Sequence, residues 1–390
     1  MAFEKAERLK ALPPYLFAEI DRKKKAAIAA GRSILNFGIG DPDRPTPQFI
    51  IDALARAAAD PKTHQYALDE GDPLLRQTIT RWFKGRFGVN LDPANEVLPT
   101  LGAKEAIVHF LMAVVNPRET VLVPDPGYPP YRGGTVFAGG RVVTMPLRAR
   151  NNFMPELAKI RPSALKKARV IFVNYPNNPT AACASREFYA ELVAFAKEHG
   201  LIVAADAAYS ETYYDARPPS ILEVPGARDV AIEFHSFSKT FNMTGWRLGW
   251  ACGNAELVAA LRQMKSNLDS GVFTAIQRAG VAALEGYDRP ELAELRRMYR
   301  ERRDALVAGL RKAGLRANVP EATFYVWVKC PRGLSSLDLT ARLLEQCDIV
   351  VTPGVGFGKS GEGYIRFALT VEVAQIAEAV ERIQSRLTID

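Results

Sequence analysis

From about residue 100 onward the chain alternates two kinds of text, and that alternation restricts it to few architectures. AKEAIVHFLMAVV, residues 103–115, carries apolar positions at helical spacing, and TVLVPDP after it is a short apolar run. GRVVTMPL is strand-like, and RVIFVNYP is a β-branched run ending in Asn and Pro. SREFYAELVAFAKEHG is an amphipathic helix with Ser185 placed to cap it and Gly200 to stop it. LIVAADAAY and VAIEFHSFS are again strands with few polar positions. Short apolar runs separated by amphipathic helices predict an α/β fold, a mostly parallel sheet covered on both faces.

Parallel sheets place ligands outside the carboxyl ends of their strands. The polar residues that interrupt these apolar runs fall at those ends: Asp125 to Tyr128, Asn174 to Asn178, Asp206 to Tyr209, and Ser236 to Lys239. Four strands therefore deliver polar groups to one edge. After residue 286 the text changes to a long charged helix, RPELAELRRMYRERRDALVAGLRKAG. The strands TFYVWVKC and GYIRFALT follow, then a closing helix from about Val371. A chain of 390 residues exceeds one typical domain. We therefore expect a large unit over 46–285 and a smaller α+β unit over 286–390, with residues 1–45 forming an N-terminal arm that packs partly with the small unit.

The net charge of +8 does not indicate nucleic acid, because the lysines and arginines are spread along the chain. The one dense cluster, DRKKKAAIAAGR, reads as the solvated face of a helix, and an anionic small ligand fits the charge equally well. Four dispersed cysteines without a CxxC pair read as reduced thiols, and the four histidines have no metal-ligand spacing, so no metal is expected. No apolar run reaches membrane-spanning length, and the opening MAFEKAERLKALPPYLF lacks the apolar core of a signal peptide, so the expected compartment is the cytoplasm.

The densest chemistry lies in EFHSFSKTFNMTGWRLGW, where Lys239 and Arg247 sit among bulky apolar groups. Desolvation and a neighbouring cation both disfavour an ammonium, and a neutral amine can form a Schiff base with an aldehyde. A surface lysine that merely follows a strand is the plain alternative. A lysine that holds pyridoxal phosphate needs three kinds of helper. A carboxylate must keep the pyridine nitrogen protonated, and Asp206 ends an apolar strand. Donors must meet the phosphate: Gly102 and Ala103 begin a helix, and Ser236, Ser238 and Arg247 add hydroxyls and a guanidinium. An aromatic face must stack on the ring, and Tyr128 stands at a strand end; Asn178 and Tyr209 are placed to hydrogen-bond its phenolic oxygen. Each of these residues also has an ordinary turn or capping explanation, but together those explanations leave too much uncompensated polarity at one edge.

SFSKTFNMTGWRLGW strongly resembles the lysine segment of the class I/II aminotransferases, the fold-type I pyridoxal phosphate enzymes. NYPNNPT resembles their Asn-Pro motif and carries the cofactor asparagine onto Asn178; DAAY carries their aspartate and tyrosine onto Asp206 and Tyr209. YALDEGDPLLR resembles the segment whose tyrosine, here Tyr66, reaches the phosphate of a partner subunit, and GYIRFAL the segment whose arginine, here Arg366, clamps the substrate α-carboxylate. Within the family, AERLKALPPYLFAEIDRKK, FGIGDPDRPTP and KSNLDSGVFTAIQRAG look like the LL-diaminopimelate aminotransferases. That resemblance adds Tyr15 and Gly40 to the substrate site, beside Tyr128, Asn178 and Arg366, and places Lys104 with Gly102 and Ala103 at the cofactor. A glycine at 40 is expected to let substrate pass close to the backbone.

The resemblance implies a seven-stranded, mostly parallel sheet, pyridoxal 5'-phosphate on Lys239, and a two-stage reaction between amino acids and 2-oxo acids. It also implies a homodimer with shared active sites. Aspartate, alanine or another amino acid remains an alternative donor, although residues 267–273 hold no arginine for a distal carboxylate. An aminotransferase-like regulatory or binding protein is the remote alternative.

Overall fold

The computed structural model describes residues 3–12, 16–67 and 70–388. Seven strands form the main sheet: β1 (Val97–Thr100), β2 (Thr120–Asp125), β3 (Arg141–Pro146), β4 (Ala168–Asn174), β5 (Ile202–Asp206), β6 (Ala231–Ser236) and β7 (Gly249–Gly253). Their spatial order is β1-β7-β6-β5-β4-β2-β3. Only β7 runs against the others, pairing antiparallel with both β1 and β6, so the sheet is mostly parallel as expected.

The strands lack a simple apolar–polar alternation because both faces are covered. Val170 and Phe172 of β4 enter one core with Phe110 and Phe234, whereas Ile171 and Val173 enter the other with Leu192 and Val203. Helix α1 (Ala103–Val114) supplies Ile107, Phe110 and Leu111 to the first core. Helix α2 (Arg186–His199) supplies Tyr189, Leu192 and Val193 to the second. Ser185 caps α2 by accepting from the Phe188 N–H at 3.2 Å, and Gly200 closes it at φ +63°, a conformation that a residue with a side chain rarely adopts. Each fully buried large apolar side chain contributes about 2 kcal/mol, so the doubly covered sheet is a rigid platform for whatever its edge carries.

The sheet's strand order is what assembles the site. β6, β5, β4 and β2 are consecutive neighbours, and Asn174 stands directly opposite Asp206 in the β4–β5 register. All four polar strand ends therefore meet at one edge.

Facing that edge is a second, antiparallel sheet of β8 (Arg316–Ala317), β9 (Tyr325–Lys329), β10 (Thr352–Pro353) and β11 (Tyr364–Ala368), in the order β10-β11-β9-β8. The long charged helix α3 (Pro290–Lys312) and the closing helix α4 (Val373–Arg386) cover it through Leu306, Leu310, Ile376 and Ile383. Leu35 and Asn36 pair in parallel with Ile349 and Val350, and Leu35 and Phe37 enter the same core. No described helix is long and apolar enough to cross a membrane.

Candidate active site

Lys239 projects from a four-residue helical turn, Phe237–Thr240, that starts where β6 stops. Ser236 ends the strand and caps the turn, its hydroxyl accepting from the Ser238 N–H at 3.1 Å. The Lys239 ammonium donates to the Gly40 carbonyl at 3.0 Å and lies 5.7 Å from the centre of the Phe324 ring. Among the described residues no carboxylate pairs with it. Burial lowers its pKa to about 8; Arg366 and Arg247 push the same way and Asp41 opposes them. Near neutral pH a small but useful fraction of this amine is unprotonated.

Asp206 ends β5 and is 4% exposed. Its hydrogen-bond donors are both neutral: the Tyr131 hydroxyl at 2.6 Å and the Ala208 N–H at 3.1 Å. Burial raises its pKa, and these two bonds only partly offset that. A buried carboxylate without a cation in contact is costly unless a ligand brings one. Tyr131 itself is fully buried, stacked on Phe172 at 4.7 Å, and the half-buried Tyr128 meets its ring edge-on at 5.7 Å.

Arg366, on β11, reaches across from the small sheet. It donates to Asn178 Oδ1 at 2.8 Å, to the Gly38 carbonyl at 3.0 Å and to the Thr352 hydroxyl at 3.5 Å. Its guanidinium lies between the rings of Tyr325 and Phe357, at 4.1 and 4.8 Å, and among the described residues its buried Nε has no hydrogen-bond partner. A desolvated guanidinium held by neutral acceptors is a receptor for a carboxylate. Asn178 is fixed in turn by its own N–H, which donates to Asn174 Oδ1 at 2.9 Å. Tyr209 shares a hydroxyl–hydroxyl bond of 2.8 Å with Tyr325.

The start of α1 forms an anion cradle. Gly102 adopts φ +84°, and a Cβ on it would lie 2.5 Å from Nη2 of Arg247. Arg247 donates to the Thr244 carbonyl at 2.8 Å and to the Leu101 carbonyl at 3.3 Å, so its head stays beside the helix N-terminus. Backbone N–H groups of Ala103 and Lys104, the helix dipole and a guanidinium converge there. The Lys104 side chain is exposed.

The structure thus connects most of the residues singled out in the sequence. Lys239 touches Gly40, Arg366 touches Asn178, Asn174 joins Asn178 to Asp206, and Arg247 touches Gly102. Tyr66 stands apart, 81% exposed, and Tyr15 lies outside the described residues. Gly40 has a packing reason besides the one expected. A Cβ there would come within 2.0 Å of the Tyr325 hydroxyl, so the glycine makes room for a tyrosine.

Two residues escaped the sequence reading. Tyr131, in the first turn of the helix that Tyr128 precedes, had a legible signal in PGYPPY. Tyr325 had none, since it is an aromatic in an ordinary strand pattern.

The family model for aminotransferase class I and II matches residues 32–383. The chain is 53% identical over 385 residues to the LL-diaminopimelate aminotransferase of Syntrophobacter fumaroxidans, covering 98% of this chain and 99% of that one. It is 50% identical over 384 residues to the enzyme of that name from Aquifex aeolicus, with the same coverage of each chain. Among solved structures, substrate-bound BacF from Bacillus subtilis superposes with a TM-score of 0.94 at 38% identity, covering 98% of each chain. An aspartate aminotransferase variant from Thermus thermophilus superposes at 0.92 and 29% identity, covering 98% of this chain and 99% of that one.

Proposed function

The chain belongs to the class I and II aminotransferases, and from that premise we propose that it is a pyridoxal phosphate-dependent LL-diaminopimelate aminotransferase. The reaction exchanges the amino group of LL-2,6-diaminopimelate with 2-oxoglutarate, giving tetrahydrodipicolinate and glutamate, or runs in reverse for lysine synthesis. The substrate assignment is carried by one observation, the near-full-length likeness at about half identity to enzymes of that name.

The residues present fit the cofactor. Asp206 is a buried carboxylate with only neutral hydrogen-bond donors, which suits a protonated ring nitrogen. Gly102 leaves open a cradle that a Cβ would fill. Lys239 would hold the cofactor through Nζ. Gly102, Ala103, Lys104, Ser236, Ser238 and Arg247 would hold the phosphate, and Tyr128 the ring face. Asn178 and Tyr209 would hold its phenolic oxygen. When bound, pyridoxal phosphate supplies an aldehyde for an amine and a ring that draws electrons from the substrate's α-carbon.

The chain's own residues do the rest. Arg366 grips the α-carboxylate, guided by the two rings that fix its plane. On the family resemblance, Gly40 and Tyr15 would belong to the substrate side. The Lys239 amine would take the α-proton onto Nζ, a task suited to a pKa of about 8. The exposed ring of Tyr66 supports a homodimer in which it reaches a second copy's phosphate. The small sheet has a core of its own, distinct from the two that cover the main sheet, which supports the division into a large unit, 46–285, and a small one, 286–390, completed by residues 1–45. The proposed compartment is the cytoplasm.

A donor screen tests this. Purified protein with pyridoxal phosphate and 2-oxoglutarate is expected to release glutamate from LL-diaminopimelate far faster than from aspartate or alanine. Release from aspartate alone would keep the aminotransferase and overturn the substrate.

A further inference from the structure

We propose that Tyr325 is a positioning residue of this site, with its ring and its hydroxyl acting on different partners. The inference rests on the pyridoxal phosphate reading above. Tyr325 opens β9, is 2% exposed, and touches three residues of the site. Its ring lies 4.1 Å from the Arg366 guanidinium, and its hydroxyl is 2.8 Å from that of Tyr209. Its hydroxyl also fills the space that a Cβ on Gly40 would need, and the carbonyl of Gly40 holds the Lys239 ammonium.

The ring sets the plane of Arg366. Three acceptors and two aromatic faces surround that guanidinium, with Tyr325 the nearer face. A planar fork binds a carboxylate through two parallel bonds only when its plane is fixed, so removing the ring weakens substrate binding.

The hydroxyl acts through Tyr209, and a proton count fixes its direction. Each phenol has one proton. If Tyr209 donates to the phenolic oxygen of the cofactor, it has none left for Tyr325, so Tyr325 is the donor in the 2.8 Å bond. A donated bond polarises the Tyr209 O–H and strengthens the bond that Tyr209 gives onward. The phenolic oxygen then carries its negative charge more stably and holds the proton of the neighbouring Schiff base less tightly. Loss of the Tyr325 hydroxyl therefore moves the deprotonation of that Schiff base to higher pH.

Two variants separate the roles in the holoenzyme. Tyr325→Phe keeps the ring and loses the hydroxyl. The pH midpoint of the cofactor's absorption change is expected to rise by about half a unit, with KM for the amino donor within twofold of wild type. Tyr325→Leu also loses the ring, and KM is expected to rise about tenfold while kcat changes less. Thermal midpoints measured alongside identify any variant that fails to fold, and the near-isosteric Phe variant keeps the test open if Leu does. The double variant Tyr209→Phe/Tyr325→Phe should titrate like Tyr209→Phe alone. An unmoved midpoint in Tyr325→Phe, or shifts that add in the double variant, overturns the role of the hydroxyl, and an unchanged KM in folded Tyr325→Leu overturns that of the ring. Wild-type protein that shows no pH-dependent cofactor absorption fails the earlier reading, and this one with it. A normal wild-type titration with an unmoved Phe variant fails this one only.

Discussion

Lys239 and Lys265 are both desolvated, yet their surroundings differ in one respect. Lys265, in the helix Ala255–Ser266, is 1% exposed and donates to both carboxylate oxygens of Asp269, at 3.1 and 2.9 Å. A second carboxylate, Glu105, lies 3.6 Å away and accepts from the Leu101 N–H at 3.1 Å. Glu105, His109 and Asp269 come within 4.8 Å of one another in a grouping that resembles a metal site, but the Lys265 ammonium already supplies a cation there. Lys239 has a carbonyl for its hydrogen-bond partner, with Asp41, Arg366 and Arg247 as electrostatic neighbours but no carboxylate in contact among the described residues. The same residue type is thus a structural cation in one region and a poised amine in the other, and partner charge rather than burial makes the difference.

Exchanging the two fates is the sharpest way to break that contrast. Lys239→Ala is expected to lower transamination by at least about 10³-fold, since nucleophile and proton carrier are lost together. Its thermal midpoint should not fall, because no ion pair is broken. Steady-state assays beside thermal melts check both halves; retained turnover would remove Lys239 from the chemistry.

Arg366 extends the contrast to a guanidinium, which also lacks a carboxylate among the described residues. Arg366→Lys keeps the charge but loses the fork and the stacking on Tyr325 and Phe357. KM for the amino donor is expected to rise 10- to 100-fold, roughly 1.4–2.7 kcal/mol. A lysine that served equally well would mean that charge alone, and not its plane, recognises the carboxylate.

Lys265→Met tests the other side. It leaves Asp269 and Glu105 facing each other without their cation, and both carboxylates are only slightly exposed. We expect a loss of about 2 kcal/mol in denaturant unfolding, reduced from the value for fully buried pairs by that exposure. Activity per folded molecule should stay within a few-fold. A stable but inactive Lys265→Met would reverse the roles assigned to the two lysines.

The same comparison shows what the sequence made legible. Asp125, Asn174, Asp206 and Ser236 were readable because a parallel sheet turns a one-dimensional pattern into a shared edge, and Lys239 and Gly102 because each adjoins a strand end or a helix start. The i,i+4 spacing of Lys265 and Asp269 was visible too, but nothing local signals that the pair is buried. Contacts that span the two sheets were not legible. Tyr209 meets Tyr325 across 116 residues and Asn178 meets Arg366 across 188, and only the docking of one sheet on the other creates them. The tyrosine that also needs the space at Gly40 lies far along the chain, so that packing role was not legible. Tyr66 is exposed in the single chain, and the role proposed for it would need a second copy.

The smallest expected effect is the most direct measure of partner charge. The pKa of Lys239 falls from an ordinary 10.5 to about 8 on folding. Between those values the folded cofactor-free protein binds fewer protons than the unfolded chain, so stability rises with pH across that window. Below about pH 8 both states carry the proton, and the folded state bears the full cost of an ammonium buried without a carboxylate in contact. Lys239→Met removes that cost. Without cofactor, the variant should exceed wild type by on the order of 1–2 kcal/mol at pH 7, and the gap should close between pH 8 and 10.5. Urea unfolding at pH 7 and pH 9.5 measures it. A gap that stays constant with pH would mean that the lysine is charged throughout the range, and its low-pKa amine could then not be the feature that separates it from Lys265.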